Sequence, residues 1–178
     1  MKNVLIITTS LRDGSNSDML AEAFKDGAIS AGSTVETVSL KNKNIGFCKG
    51  CFACQKIGKC IINDDANAIT DKIAEADVVV WATPVYYYEM SGQMKTLIDR
   101  ANSLFSRERK FKDVYLLSTA HDSDASTPDG ALKGLQGWIK CMKGARLAGS
   151  VFVGGIEPAG AIEGNIGLKN AFEMGKNV

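Results

Sequence analysis

Four consecutive aliphatic residues, Val4, Leu5, Ile6 and Ile7, run into a polar loop, and an amphipathic helical pattern begins directly behind it. A continuous apolar run, in contrast to an alternating one, suits a strand buried on both faces of a parallel sheet. Leu20, Ala23, Phe24, Gly27, Ala28 and Ala31 then recur at helical spacing, and Ser15 with Asp18 matches a helix start signal. The stretch from Asn3 to Ala31 therefore reads as strand, loop and helix, and the rest of the chain has to be built around a central buried strand.

The loop ends at a helix N-terminus, where unpaired N–H groups and the positive end of the helix dipole attract an anion. Ser10, Arg12, Ser15, Asn16 and Ser17 add further donors, and Arg12 is the one full positive charge among them. A phosphate monoester fits this donor set. An ordinary polar connection closed by a capping serine fits the same residues.

A chain of 178 residues is long enough for one domain with a full core, so a single domain over 1–178 is expected. A net charge of +1 argues against a broad attraction to nucleic acid or anionic membrane, leaving any anion site local. No apolar run approaches membrane-spanning length, and strand-forming residues begin at Asn3, which points to a cytoplasmic protein.

Thr34 to Leu40 alternates as a second, near-edge strand, and residues 41–63 show neither helical nor strand period. A stretch that long without structure is usually functional. A helix over Asp64–Ala76, a strand over Asp77–Thr83 ended by Pro84, and a helix capped by Ser91 and reaching about Asn102 follow. Val114–Thr119 and Ala148–Val153 are the fourth and fifth strands, with helices after each. Alternating strands and helices imply right-handed crossovers and a parallel sheet covered on both faces. The expected fold is an α/β three-layer sandwich of flavodoxin-like type, with five parallel strands in the order 2-1-3-4-5. That order sets Ser10–Ser17 beside Thr83–Tyr88 at the carboxyl edge of the sheet.

Neither a G-x-G-x-x-G nor a G-x4-G-K-[ST] pattern occurs, which disfavours dinucleotide-fold and phosphate-loop kinase readings. FMN needs one phosphate nest, a path for its ribityl chain and a flat slot for the isoalloxazine, and the crevice offers these. Thr83, Pro84, Val85 and Tyr86 would lie along the ring, with Tyr87 and Tyr88 as stacking or lid groups; packing or an oligomer interface would also account for the tyrosines. His121, the single histidine, follows the fourth strand and could reach the ring's pyrimidine edge or stand in solvent.

Cys48, Cys51, Cys54 and Cys60 are spaced C-x2-C-x2-C-x5-C. Three thiols at such short gaps with a fourth close behind are the donor set of a [4Fe-4S] cluster. A structural zinc usually takes two separated pairs, and disulfides or a loop without a cluster are the plainer alternatives. Cys141, within the fourth helix, reads as a small core residue.

SLRDGSNS, TPVYYYEMSGQMKTLIDR and GFCKGCFACQKIGKCIINDD together resemble the NAD(P)H-dependent FMN reductase and flavodoxin-like superfamily, specifically its iron-sulfur-flavoprotein-like branch. The resemblance implies non-covalent FMN on Ser10, Arg12, Ser15, Asn16 and Ser17 and along Pro84, Val85 and Tyr86, although Leu11 stands where many relatives carry proline. It also implies electron transfer from NAD(P)H or a protein donor to a quinone, flavin or other small acceptor, a cluster relaying single electrons, and a homodimer or higher homo-oligomer. A non-catalytic electron carrier between protein partners, or a flavin-free binding module on the same fold, are the rival expectations.

Overall fold

The computed structural model describes all residues from Met1 to Val178. In chain order its elements are β1 (Asn3–Thr8), α1 (Asn16–Ser30), β2 (Thr34–Ser39), α2 (Ala53–Ile57), α3 (Asp65–Glu75), β3 (Val78–Tyr86) and β4 (Glu89–Met90). They continue as α4 (Gly92–Arg100), a 3₁₀ turn (Ala101–Phe105), β5 (Asp113–Thr119), α5 (Asp129–Lys140), β6 (Arg146–Val153) and α6 (Ile166–Lys176). The main sheet runs β2-β1-β3-β5-β6, all parallel, which is the expected 2-1-3-4-5 order once the short β4 is set aside.

The unbroken apolar strands divide their side chains between two cores. Leu5 and Ile7 of β1, Val79 and Trp81 of β3 and Leu116 of β5 pack with α3, α4 and α5. Val4, Ile6, Val78, Val80 and Leu117 pack on the other face with α1 and α6. Successive residues point to opposite faces, so a strand with helices on both sides has no position left for a polar residue. On the first face Trp138 stands edge-on to Trp81, with ring centroids 6.0 Å apart, and stacks on Phe111 at 5.6 Å.

Two features depart from the sequence reading. β3 does not stop at Pro84 but continues to Tyr86, pairing Pro84 with Thr119 of β5 and turning back through Tyr87 and Tyr88 into β4. Ala82 O accepts from Thr9 N, so the even-numbered positions of β3 face β1, which has ended by the level of Pro84. The missing proline N–H therefore breaks no ladder bond. The second feature is α2, a single helical turn inside the cysteine-bearing segment, bounded by Phe52 at φ +54° and Gly58 at φ +75°.

Helices α1 and α6 touch through glycine. A Cβ built on Gly27 would lie 2.0 Å from Phe172 O, and one on Gly175 would lie 2.0 Å from Phe24 O. Backbone meets backbone here, so no side chain can rotate away. Gly27→Ala and Gly175→Ala are each expected to cost about 1–3 kcal/mol through overpacking, measured by denaturant unfolding. Gly137, in α5 with nothing near its Cβ position, is the control: Gly137→Ala should stabilise by about 0.5–1 kcal/mol.

Candidate functional site

The carboxyl ends of β1, β3 and β5 open into a crevice of about 210 Å³ lined by Ser10, Arg12, Ser15, Asn16, Ser17, Pro84, Val85, Tyr86, His121 and their neighbours. Its floor is polar and buried: Ser10, Ser15 and Ser17 are at most 6% exposed. Ser15 caps α1 by accepting from Asp18 N at 3.2 Å, and its hydroxyl lies 3.3 Å from that of Ser17. The N–H groups of Asn16 and Ser17 precede the first completed helical turn and have no acceptor within it. One hydroxyl proton is spent between Ser15 and Ser17, and the donors that remain around this small cavity, with the first N–H groups of α1, suit an oxyanion.

Asn16 and Arg12 are tied more closely to the protein than the sequence reveals. The Asn16 amide donates to Pro158 O at 2.9 Å and accepts from Ile162 N at 3.2 Å, so it locks the 158–162 segment over the start of α1. Arg12 donates to Glu157 O at 3.2 Å from the rim. Below the loop, burial pushes the Asp18 carboxyl above its ordinary value, against hydrogen bonds from Ser15 and Thr8.

Thr83 does not line the crevice. It is fully buried, donates to Pro84 O at 2.9 Å and accepts from Ser91 N at 3.1 Å. Ser91 in turn donates to Thr9 Oγ1 at 2.9 Å, and this buried chain of hydroxyls joins the ends of β1 and β3 to the start of α4. Tyr86 lies on the crevice wall, whereas Tyr87, 99% exposed, and Tyr88 form the tip of the β3–β4 hairpin at φ +49° and +65°. Positive φ at both central residues is the turn geometry that matches strand twist, and it is held here without glycine or asparagine. The hairpin is braced by Tyr88 Oη donating to Asp122 at 3.2 Å, and α5 presses Gly130 so closely on Tyr88 O that a Cβ there would lie 2.3 Å away. His121 Nδ1 lies 3.5 Å from Glu157 Oε2 at the crevice mouth. Thr119, Ala120, Ile156 and Glu157 complete the lining and were not anticipated; the rule that ligands bind beyond the carboxyl ends of parallel strands points to the first two.

A larger cavity of about 650 Å³ lies between α4 and α5, lined by Cys48, Cys51, Cys54, Cys60 and Cys141 among others. Cys141 is therefore exposed on this wall, contrary to the expectation of a core residue: it follows the last turn of α5, whose buried face is already filled by Leu135 and Ile139. No residue lines both cavities. The cysteines share one cavity, but no three of them are close enough to form a metal-holding group. Their surroundings nonetheless suit negatively charged sulfur. The segment carries Lys41, Lys43, Lys49, Lys56 and Lys59 and no acidic residue between 41 and 63. Gly50 N donates to Cys48 Sγ at 3.4 Å, and Asn102 Nδ2 donates to Cys54 Sγ at 3.3 Å. By donor chemistry, four thiols lining one cavity are the set that a [4Fe-4S] cluster takes.

One ion pair closes the base of this segment. The Arg100 side chain is fully buried and meets both oxygens of Asp64, itself 5% exposed, at 2.6 and 2.8 Å. The same guanidinium donates to Gly46 O at 2.8 Å and Ile62 O at 3.1 Å, and Asp64 accepts from Gly46 N and Ala66 N. Burial would raise the Asp64 carboxyl, but Arg100 and the two N–H groups outweigh it and hold it below the ordinary aspartate value.

Residues 2–153 match the family model described as NADPH-dependent FMN reductase, and the chain belongs to that family. It is similar to an iron-sulfur flavoprotein of Methanosarcina thermophila, 29% identical over 175 residues that cover 97% of this chain and 91% of the relative. An iron-sulfur flavoprotein of Archaeoglobus fulgidus is 39% identical over 100 residues, 56% of this chain but 45% of the relative, so that alignment spans under half of the relative's length. Among solved structures, an NAD(P)H:quinone oxidoreductase from Methanothermobacter marburgensis has a TM-score of 0.71 at 19% identity, covering 99% of this chain and 96% of that one. The azoreductase AzrA has a TM-score of 0.73 at 20% identity, covering 99% and 100%. These two likenesses establish the flavodoxin-like fold.

Because the depressed Asp64 carboxyl is charged in the native state, its stabilisation is complete above the ordinary value of 3.8 and is lost as pH falls through the lowered native value. Thermal melts should therefore decline on acidification below about pH 4 more steeply in the wild type than in Asp64→Asn. Arg100→Met should cost about 3–5 kcal/mol at neutral pH, because it strands a buried carboxylate. Hydrogen exchange should then rise first at the two held ends, near Gly46 and Ile62.

Proposed function

We propose that this chain is an FMN-dependent oxidoreductase that passes electrons from NAD(P)H or a protein donor, through FMN in the crevice, to a quinone, flavin or other small acceptor. The observation that carries the reading is the buried donor set of Ser10, Ser15 and Ser17 around one cavity at the start of α1, within a chain of the FMN reductase family. FMN held there would supply the redox chemistry between donor and acceptor.

The residues of the chain bind and orient. Ser10, Ser15, Ser17 and the first N–H groups of α1 hold the phosphate, with Arg12 adding charge from the rim. Asn16 serves the same nest indirectly, fixing Pro158 and Ile162 over it. Pro84, Val85 and Tyr86 offer a rigid strand edge to the ring, since β3 is paired with β5 and β4 at that level. Thr83 supports that edge from beneath, and Tyr87, Tyr88 and His121 stand at the mouth, where substrate enters and leaves. The four loop cysteines would hold a [4Fe-4S] cluster, which would supply single-electron transfer, and the names of the iron-sulfur flavoprotein relatives support this part. The exposed Tyr86–Tyr88 lip supplies a surface for a second copy of the chain in a homo-oligomer. No helix is long and apolar enough to cross a membrane, and a cytoplasmic site of action is part of the same proposal.

Anaerobic oxidation of NADH or NADPH by the FMN-loaded protein, with a quinone or dye as acceptor, tests the enzymatic reading. Turnover is the expected result, and tight FMN binding without turnover would leave an electron carrier. Arg12→Ala should weaken FMN binding about 10- to 100-fold by fluorescence titration, the scale of one charge-assisted hydrogen bond, without changing the melting temperature of the flavin-free protein.

A further inference from the structure

Cys54 differs from the other three thiols of its segment. It is 8% exposed, whereas Cys48 and Cys51 are exposed and Cys60 is half-buried. It sits on α2, which packs against the 3₁₀ turn, and a side chain of that turn reaches its sulfur: Asn102 Nδ2 lies 3.3 Å from Cys54 Sγ. This is the one hydrogen bond the Asn102 side chain makes within the chain. Two residues earlier stands Arg100, which holds the carbonyls at both ends of the cysteine segment. One short stretch, 100–102, thus fixes the base of the loop and touches its buried sulfur.

A neutral thiol is a weak acceptor, so an amide N–H committed to it contributes little. A thiolate is a charged acceptor, and the same N–H then makes a much stronger bond. We propose that Asn102 is a positioning residue for a metal–sulfur centre on this loop, anchoring Cys54 as the buried ligand and donating to its charged sulfur. The proposal rests on the reading that the four thiols hold an iron-sulfur cluster. A hydrogen bond to a ligand sulfur favours the reduced, more negative form of such a cluster and so raises its reduction potential. Losing an outer partner of this kind also loosens the metal.

The test uses the full chain, reconstituted anaerobically with ferrous iron and sulfide, as wild type, N102L and N102D. N102L removes the donor while keeping an apolar side chain of similar size against α2. N102D keeps the shape and turns the Nδ2 donor into an acceptor, and it carries the test if N102L does not fold. Iron per chain is counted first, then the midpoint potential is measured by spectroscopic titration, and then the rate of iron loss to a chelator. The expected result is about four irons in the wild type. Midpoint potentials should then fall from wild type to N102L to N102D, with iron lost about tenfold faster from the variants. Equal potentials and equal release rates in wild type and variants would overturn the proposal alone and leave Asn102 a packing residue. A wild type that takes up no iron would overturn the cluster reading and this proposal together, and its flavin content, measured on the same sample, would show whether the FMN reading stands.

Discussion

Each central strand of this sheet must be covered on both faces, and the rest of the architecture follows from that requirement. Val4 to Ile7 and Val78 to Ala82 are so uniformly apolar that water on either side would be unfavourable, at roughly 1.5–3 kcal/mol for each large side chain left exposed. Helices α1 and α6 cover one face and α3, α4 and α5 the other. Right-handed crossovers then bring every strand's carboxyl end to one edge, where β1 gives way to a loop while β3 runs on. The crevice is the gap left between them.

The chain places its two polar devices outside those cores and fixes each with buried hydrogen bonds. At the crevice, Thr9, Ser91 and Thr83 form a hydroxyl chain beneath the floor, and the Asn16 amide holds the 158–162 segment over α1. At the cysteine segment, Arg100 and Asp64 join ends that are 16 positions apart, from Gly46 to Ile62, so a stretch with one turn of helix keeps a defined shape. Breaking such a pair is costly because either partner alone is a buried charge. Both arrangements hold backbone in place around a cavity.

Much of the fold was legible because hydrophobic period and cap chemistry are local. Ser15 and Ser91 each cap a helix as read, and the strand order followed from alternation of strand and helix. The β3–β4 hairpin was not legible, since its turn is Tyr87-Tyr88 in place of glycine or asparagine, and Pro84 falsely signalled an end. Helix α2 is too short to show a period. At the site, the loop serines were readable from their place before α1, but three assignments depended on partners far along the chain. Asn16 meets residues 142 and 146 positions away, Arg100 meets Asp64 across 36, and Cys141 joins the cysteine cavity only because α4 and α5 face each other across it. Nothing local encodes such contacts.

The role proposed for the loop from Ser10 to Ser17 is to hold the phosphate of FMN. Its most direct test is the absorption spectrum of anaerobically purified protein, with flavin and iron quantified on the same sample after incubation with FMN. Flavin bands at about one FMN per chain are expected, with a broad iron-sulfur shoulder if the cysteine segment is loaded. A folded protein that neither retains nor takes up FMN would contradict that role.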